Sequence, residues 1–224
     1  MNLYPSILTD LLQTAQAQLD LVKDIKGLEV VQIDIVDGQF ADNLTIFPLD
    51  LIDLDFGNLQ IDLHLMTEEP MGFVQEALTL KDQLLIRAII SQIERMSYPA
   101  EYIQEVKKNG WQVGLSLDLH TPTSALENYL AELDIVQLMA IEAGAQGQEF
   151  QSKALKKLEI LNPKFETNPK AQSLNPKNLE IIVDGGVKLK HLNQLKKAGV
   201  DSVCVGSGIW QADDPHIAIE IFLS

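Results

Sequence analysis

Eight times along the chain, a short apolar run rich in β-branched residues is followed by a stretch whose apolar residues recur at helical spacing. This alternation constrains the fold more than any other feature. A strand followed by a helix, repeated, builds a parallel sheet with helices on its faces. The strands are predicted at Tyr4–Leu8, Glu29–Ile35, Gln60–Met66, Leu84–Ile90, Trp111–Leu117, Asp134–Ile141, Glu180–Val183 and Ser202–Val205. The helices are predicted from Leu11 up to the turn at Lys26-Gly27, in one or two turns at Pro48–Leu54, and from Thr67 to Leu80. They continue at Pro99–Lys108, Thr123–Ala131, Phe150–Leu161, Leu189–Ala198 and Pro215–Phe222. Asn162–Asn178, with Asn-Pro steps at Pro163, Pro169 and Pro176, reads as an irregular surface connection. Eight such units suit a single closed (β/α)8 TIM barrel domain spanning residues 1–224. A doubly wound open sheet is the alternative, but no GxGxxG follows the first strand.

In such a barrel, polar residues at the C-terminal ends of strands face the active site. Val30-Val31-Gln32-Ile33-Asp34-Ile35-Val36-Asp37-Gly38 carries two carboxylates to such an end. Asp37 fits a cap of the turn before Gly38. Asp34 lies deeper, where a carboxylate is costly unless paired, hydrogen-bonded or bound to metal. His64 and Asp184 hold matching places on the third and seventh strands. Each has an ordinary structural explanation, a satisfied core histidine and a turn former. Together, one histidine and two carboxylates can ligate a divalent metal with positions left for substrate. Asp62 and Asp118 fit capping or surface roles equally well. The stretch Gln39–Thr45 is long enough for an active-site loop.

The formal net charge is −15, from 17 Lys+Arg against 32 Asp+Glu. That surface repels nucleic acid and anionic lipid. A phosphorylated ligand is compatible with that surface where backbone N–H groups and a metal hold it, and Gly185, Gly186, Gly206 and Ser207 fall where barrels hold a phosphate. The lone Cys204 excludes an intramolecular disulfide and fits a reducing compartment. No signal-peptide pattern or bilayer-spanning run is present, so a cytoplasmic location and no membrane partner are expected.

Several motifs, in order, resemble the ribulose-phosphate 3-epimerase family over nearly the whole chain. Pro5-Ser6-Ile7-Leu8 resembles its PSIL, and Asp34-Ile35-Val36-Asp37-Gly38 its D-x-M-D-G, with Phe40 and Asn43-Leu44-Thr45-Ile46 following. Asp62-Leu63-His64-Leu65-Met66 matches D-x-H-L-M, and Thr121-Pro122 sits where the family has T-P. Leu138-Met139 with Gly144, Gly147 and Gln148 is similar to M-S-V-x-P-G-F-G-G-Q; Val183-Asp184-Gly185-Gly186-Val187 and Gly206-Ser207 resemble the last two motifs. The resemblance implies a metal-assisted 1,1-proton transfer at C3 of a ketopentose phosphate, D-ribulose 5-phosphate or a close relative. By motif, Asp34 and Asp184 are the acid–base pair and metal ligands, with His64 a third ligand. Zinc, iron(II) or manganese is the expected ion. Ser6, His64, Met66, Met139, Gly144 and Gly147 would surround the substrate, and Gly185, Gly186, Gly206 and Ser207 would take its phosphate. Self-association is expected from the same resemblance.

The pattern breaks in places. Gln32 stands where the family's H-x-D motif has a ligand histidine, and its carbonyl is a weaker metal donor than imidazole. Val36 replaces a wall methionine and Asp118 an asparagine. The loop Glu142–Gly147 lacks the family's proline, aromatic residue and one glycine. Where the family's fourth strand ends in a His-containing segment, Leu85-Ile86-Arg87-Ala88 is aligned. Arg87 is there either a cation near the site mouth or a local ion-pair partner. Two other functions stay open: a different phosphosugar-acting barrel enzyme, and a noncatalytic phosphosugar-binding homologue that has lost its metal.

Overall fold

A computed structural model of the 224-residue chain describes residues 1–167 and 179–224, with side chains to residue 161 in the first of these. Eight parallel strands close into a barrel in sequence order. They are β1 (Asn2–Ile7), β2 (Val30–Val36), β3 (Gln60–Met66), β4 (Ile86–Gln92), β5 (Gln112–Leu117), β6 (Ile135–Met139), β7 (Glu180–Asp184) and β8 (Ser202–Val205). β8 pairs back onto β1, Tyr4 opposite Cys204.

Side chains alternate between the two faces of a strand, and this parity organises the interior. On β2, Val31, Ile33 and Ile35 join the large core between barrel and helices. Val30 belongs to a separate small core inside the barrel, with Tyr4, Ala88, Ile90, Ile135, Ile182 and Cys204. Gln32 and Asp34 share the parity of Val30, so they too point inward although the whole strand is buried. A strand that looks uniformly apolar therefore carries its polar residues in one inward column.

A 3-10 helix at Pro48–Asp53 follows β2, in keeping with the one or two turns expected at Pro48–Leu54, whereas two 3-10 turns, Thr123–Leu126 and Leu130–Glu132, replace the helix expected at Thr123–Ala131. That segment buries only Thr123, Leu126 and Leu130, too few apolar anchors to hold a regular helix against the barrel. Helical backbone at Lys153–Thr167 runs through Pro163, inside the stretch read as irregular. The remainder of that stretch, with Pro169 and Pro176, lies outside the described residues.

The largest revision concerns β4, which runs two residues later than predicted. Its ladder to β3 pairs Ile61 with Ile86 and then Asp62 with Ala88, leaving Arg87 as a bulge residue. Arg87 thus sits near the start of its strand, at the barrel floor and away from the C-terminal mouth. Its Nε donates to Asp62 Oδ1 at 2.8 Å and its Nη1 to Glu180 Oε2 at 2.9 Å, while Nη2 donates to Asp62 Oδ2. Tyr4 closes the floor, its hydroxyl donating to Glu180 Oε1 at 2.6 Å and its ring centroid 4.9 Å from the guanidinium. Arg87 is an ion-pair partner, and Asp62, fully buried, is neither a cap nor a surface acid.

Candidate active site

The polar column of β2 meets its counterparts at the C-terminal end of the barrel. Asp34 lies opposite His64 across the β2–β3 ladder, and Met139 opposite Asp184 across β6–β7. Asp34, His64 and Asp184 are all buried, and each offers one ligand atom within 4.8 Å of the others. His64 Nδ1 is 3.0 Å from Asp34 Oδ1 and 3.5 Å from Asp184 Oδ2. Ser6 Oγ donates to Asp34 Oδ2 at 2.9 Å. One histidine nitrogen and two carboxylate oxygens at this spacing fit a divalent cation and leave coordination positions open.

Gln32 enters the same cluster from one turn of the pleat below. Its Nε2 donates to Asp34 Oδ1 at 2.9 Å and to Asp184 Oδ2 at 2.7 Å. Its Oε1 accepts from Cys204 Sγ at 3.0 Å. The amide nitrogen thus faces the two carboxylates and the oxygen faces Cys204.

Two further glutamines, which the sequence reading passed over, complete the ring. Gln92, at the end of β4, places its Nε2 3.1 Å from His64 Nε2. Gln137 on β6 donates from Nε2 to Asp184 Oδ2 at 3.0 Å. Both are fully buried, and the Oε1 of each has no hydrogen-bond partner among the described residues. Gln92, rather than the Leu85–Ala88 segment, holds the C-terminal end of the fourth strand. The signal for Gln137 was present: a polar residue inside an apolar run, two positions before Met139 and hence on the same face.

Burial and the neighbouring Asp34 charge push the Asp184 carboxyl up to about 7, against the pull of His64 and Gln32. At His64, burial disfavours the charged ring, but the hydrogen bond it donates to Asp34 and the two carboxylate charges outweigh it and raise its pKa. Burial, then the surrounding carboxylates, keep Cys204 a protonated thiol, able to donate to Gln32.

Beside the carboxylates a cleft opens between the loops after β6, β7 and β8, lined by Ser6, Met66, Met139, Gly144, Gly186 and Ser207 among others. Gly147, Gly185 and Gly206 border it too. Gly186 has φ +64°, and a Cβ there would lie 2.5 Å from the Phe150 backbone nitrogen, so only glycine fits. The Gln146 side chain lies over Gly206: a Cβ on that glycine would be 2.5 Å from Gln146 Nε2. That Nε2 is buried without a hydrogen-bond partner among the described residues.

The loop after β2 crosses the mouth. Asp37 Oδ1 accepts from Gln39 N and Phe40 N at 2.8 Å each, the capping role expected of it. Asn43 Nδ2 then reaches Gly144 O at 2.8 Å and ties this loop to the one after β6. Asp118 anchors the latter from below, accepting from Ala143 N at 2.9 Å.

Comparison with known proteins agrees with this arrangement. The barrel superposes on 3-hexulose-6-phosphate synthase with a TM-score of 0.68 at 15% identity, covering 100% of this chain and 98% of that one, a likeness of fold. Ribulose-phosphate 3-epimerase of Helicobacter pylori strain J99 is 29% identical over 222 residues, 98% of this chain and 95% of the relative. Ribulose-phosphate 3-epimerase of Bacillus subtilis strain 168 is 32% identical over 202 residues, 88% of each chain. The model of the Ribulose-phosphate 3 epimerase family matches residues 2–210, and the chain belongs to that family.

Proposed function

We propose that the protein interconverts D-ribulose 5-phosphate and D-xylulose 5-phosphate, or a closely related pair, by inverting C3. The observation that carries this reading is the convergence of Asp34 and Asp184, from strands three steps apart around the barrel, on one small buried site. Inversion through a planar enediolate needs one group to remove a proton from one face and another to return a proton to the opposite face. Two carboxylates arriving from different sides of a narrow mouth meet that need. Asp34 and Asp184 are the two groups that would remove and return that proton.

Asp34, His64 and Asp184 would hold the divalent cation, whose contribution when bound is Lewis-acid stabilisation of the charge developing on the substrate oxygens. Ser6 orients Asp34 through its hydroxyl. Met66 and Met139, both buried, supply an apolar wall that keeps water from quenching the intermediate. Backbone N–H groups near Gly186, Gly206 and Ser207 would take the phosphate, with Gln146 Nε2 as an added donor.

The test is incubation with ribulose 5-phosphate in D2O, followed by NMR at C3, with zinc, iron(II) or manganese and then with chelator. Deuterium uptake with appearance of xylulose 5-phosphate is the expected result. No exchange with any of the metals would sink this substrate assignment.

A further inference from the structure

The Gln32 amide nitrogen stands at the spacing of a fourth ligand beside Asp34, His64 and Asp184, with its hydrogens turned toward the two carboxylates. This Nε2 lies 2.9 Å from Asp34 Oδ1, 2.7 Å from Asp184 Oδ2 and 3.5 Å from His64 Nδ1, the three atoms best placed as ligands. A cation bonded to those atoms at about 2.0–2.2 Å would collide with the amide N–H groups. The amide nitrogen cannot serve as a ligand either, because its lone pair is delocalised and both its hydrogens are committed. The carbonyl oxygen could serve, but it points away, to Cys204.

We propose that Gln32 is a two-position amide: without metal its two N–H groups bridge the carboxylates of Asp34 and Asp184, and metal loading turns the amide over so that Oε1 joins the ligands. This rests on the metal-binding part of the proposed function and not on the identity of the sugar.

The surroundings of Gln32 suit both positions. The Cys204 thiol now donates to Oε1, and after reversal the same sulfur can accept from Nε2, since a thiol is both a weak donor and a weak acceptor. A valine or alanine could do neither. Gln92 stands ready for the matching change at the far side of His64. At present its Nε2 faces His64 Nε2 and its buried Oε1 has no partner. Once Nδ1 of His64 is a ligand, Nε2 must carry the ring hydrogen, and a reversed Gln92 offers it the acceptor that ligand histidines use.

Two consequences follow. In the metal-free protein Gln32 holds apart two carboxylates that would otherwise repel, so the site stays assembled. Loading must break two hydrogen bonds to charged acceptors, so the site takes metal less tightly than it would with a carboxylate or imidazole at this position. Gln32 is in this sense a positioning residue whose amide competes with the cation.

Nitrogen-15 NMR of glutamine-labelled protein tests the first consequence, with the Gln32 side-chain pair assigned by its loss in Gln32→Met. After chelation, that pair should be shifted downfield and protected from exchange with water. One equivalent of zinc should displace it. A chromophoric chelator competing for zinc tests the second: Gln32→Glu should bind about 10- to 100-fold more tightly than the unaltered protein. If Gln32→Glu fails to fold, Gln32→His carries the same comparison. A Gln32 pair unmoved by bound zinc, or a variant that binds zinc no more tightly, overturns the proposal. Neither measurement involves a sugar, so failure of the epimerase assay with these results intact would count against the substrate assignment alone.

Discussion

Asp62 has no exposed surface, and the Arg87 guanidinium takes both of its carboxylate oxygens. Removing one member of a buried pair strands the other's charge in a medium that cannot solvate it. Arg87→Met should therefore cost about 3–5 kcal/mol. In a chain of this size that is a fall in Tm of roughly 10 °C, read by differential scanning calorimetry. Adding Asp62→Leu should recover most of the loss, because an apolar pair of similar volume needs no compensation. If the double variant is as unstable as the single, the damage lies in the β4 bulge and not in the uncompensated charge. The same residues mark where sequence reading reached its limit. Asp34, His64 and Asp184 were legible because each interrupts an apolar run just before a turn. The ion-pair reading of Arg87 holds, but its place near the start of the strand is hidden because Leu84 and Leu85 extend the apolar run backward, while the bulge breaks the alternation that sets the register. That two-residue error also hid Gln92, which holds the position the misaligned segment was taken to fill.

At the scale of elements, the loops after β6, β7 and β8 form a cradle in which glycine is required at Gly186 and the Gln146 side chain lies over Gly206. Gly186→Ala would press a methyl group onto backbone atoms of Gln148 and Phe150, which cannot swing aside as a side chain could. The loop must shift, and with it the N–H groups proposed for the phosphate. Gln146 is the converse case, an addition to the cradle. Its Nε2 is buried and unpartnered, a condition that costs free energy unless a ligand answers it. Gln146→Glu keeps the shape, removes the donor and adds a negative charge. KM for a phosphosugar should rise about 10-fold or more, with kcat within about twofold, since the interaction is the same in ground and transition states. An unchanged KM would mean that Gln146 only covers the cradle. The motif order of these loops was readable from the sequence; the seating of Gln146 on Gly206 was not, because it depends on how two loops from different strands meet.

The whole molecule presents a field that opposes its proposed ligand. The formal net charge is −15, whereas a sugar phosphate arrives as a dianion near neutral pH. Among the described residues, no lysine or arginine lines the cleft beside the carboxylates. Backbone N–H groups and side-chain amides can bind phosphate at contact, but they exert little pull at a distance, so long-range repulsion is left uncancelled. Salt should relieve it. The screening length falls from about 30 Å at 0.01 M to about 10 Å at 0.1 M ionic strength, from the span of the barrel to less than its width. With sodium chloride, kcat/KM for ribulose 5-phosphate should therefore rise about twofold or more between low and physiological ionic strength. An enzyme that draws in its anionic substrate through a basic surface behaves in the opposite way. A fall in kcat/KM over that range, with kcat unchanged, would show that a positive local field outside the cleft governs substrate approach. A rise confined to kcat/KM would place the repulsion in the encounter and leave the chemistry at Asp34 and Asp184 untouched.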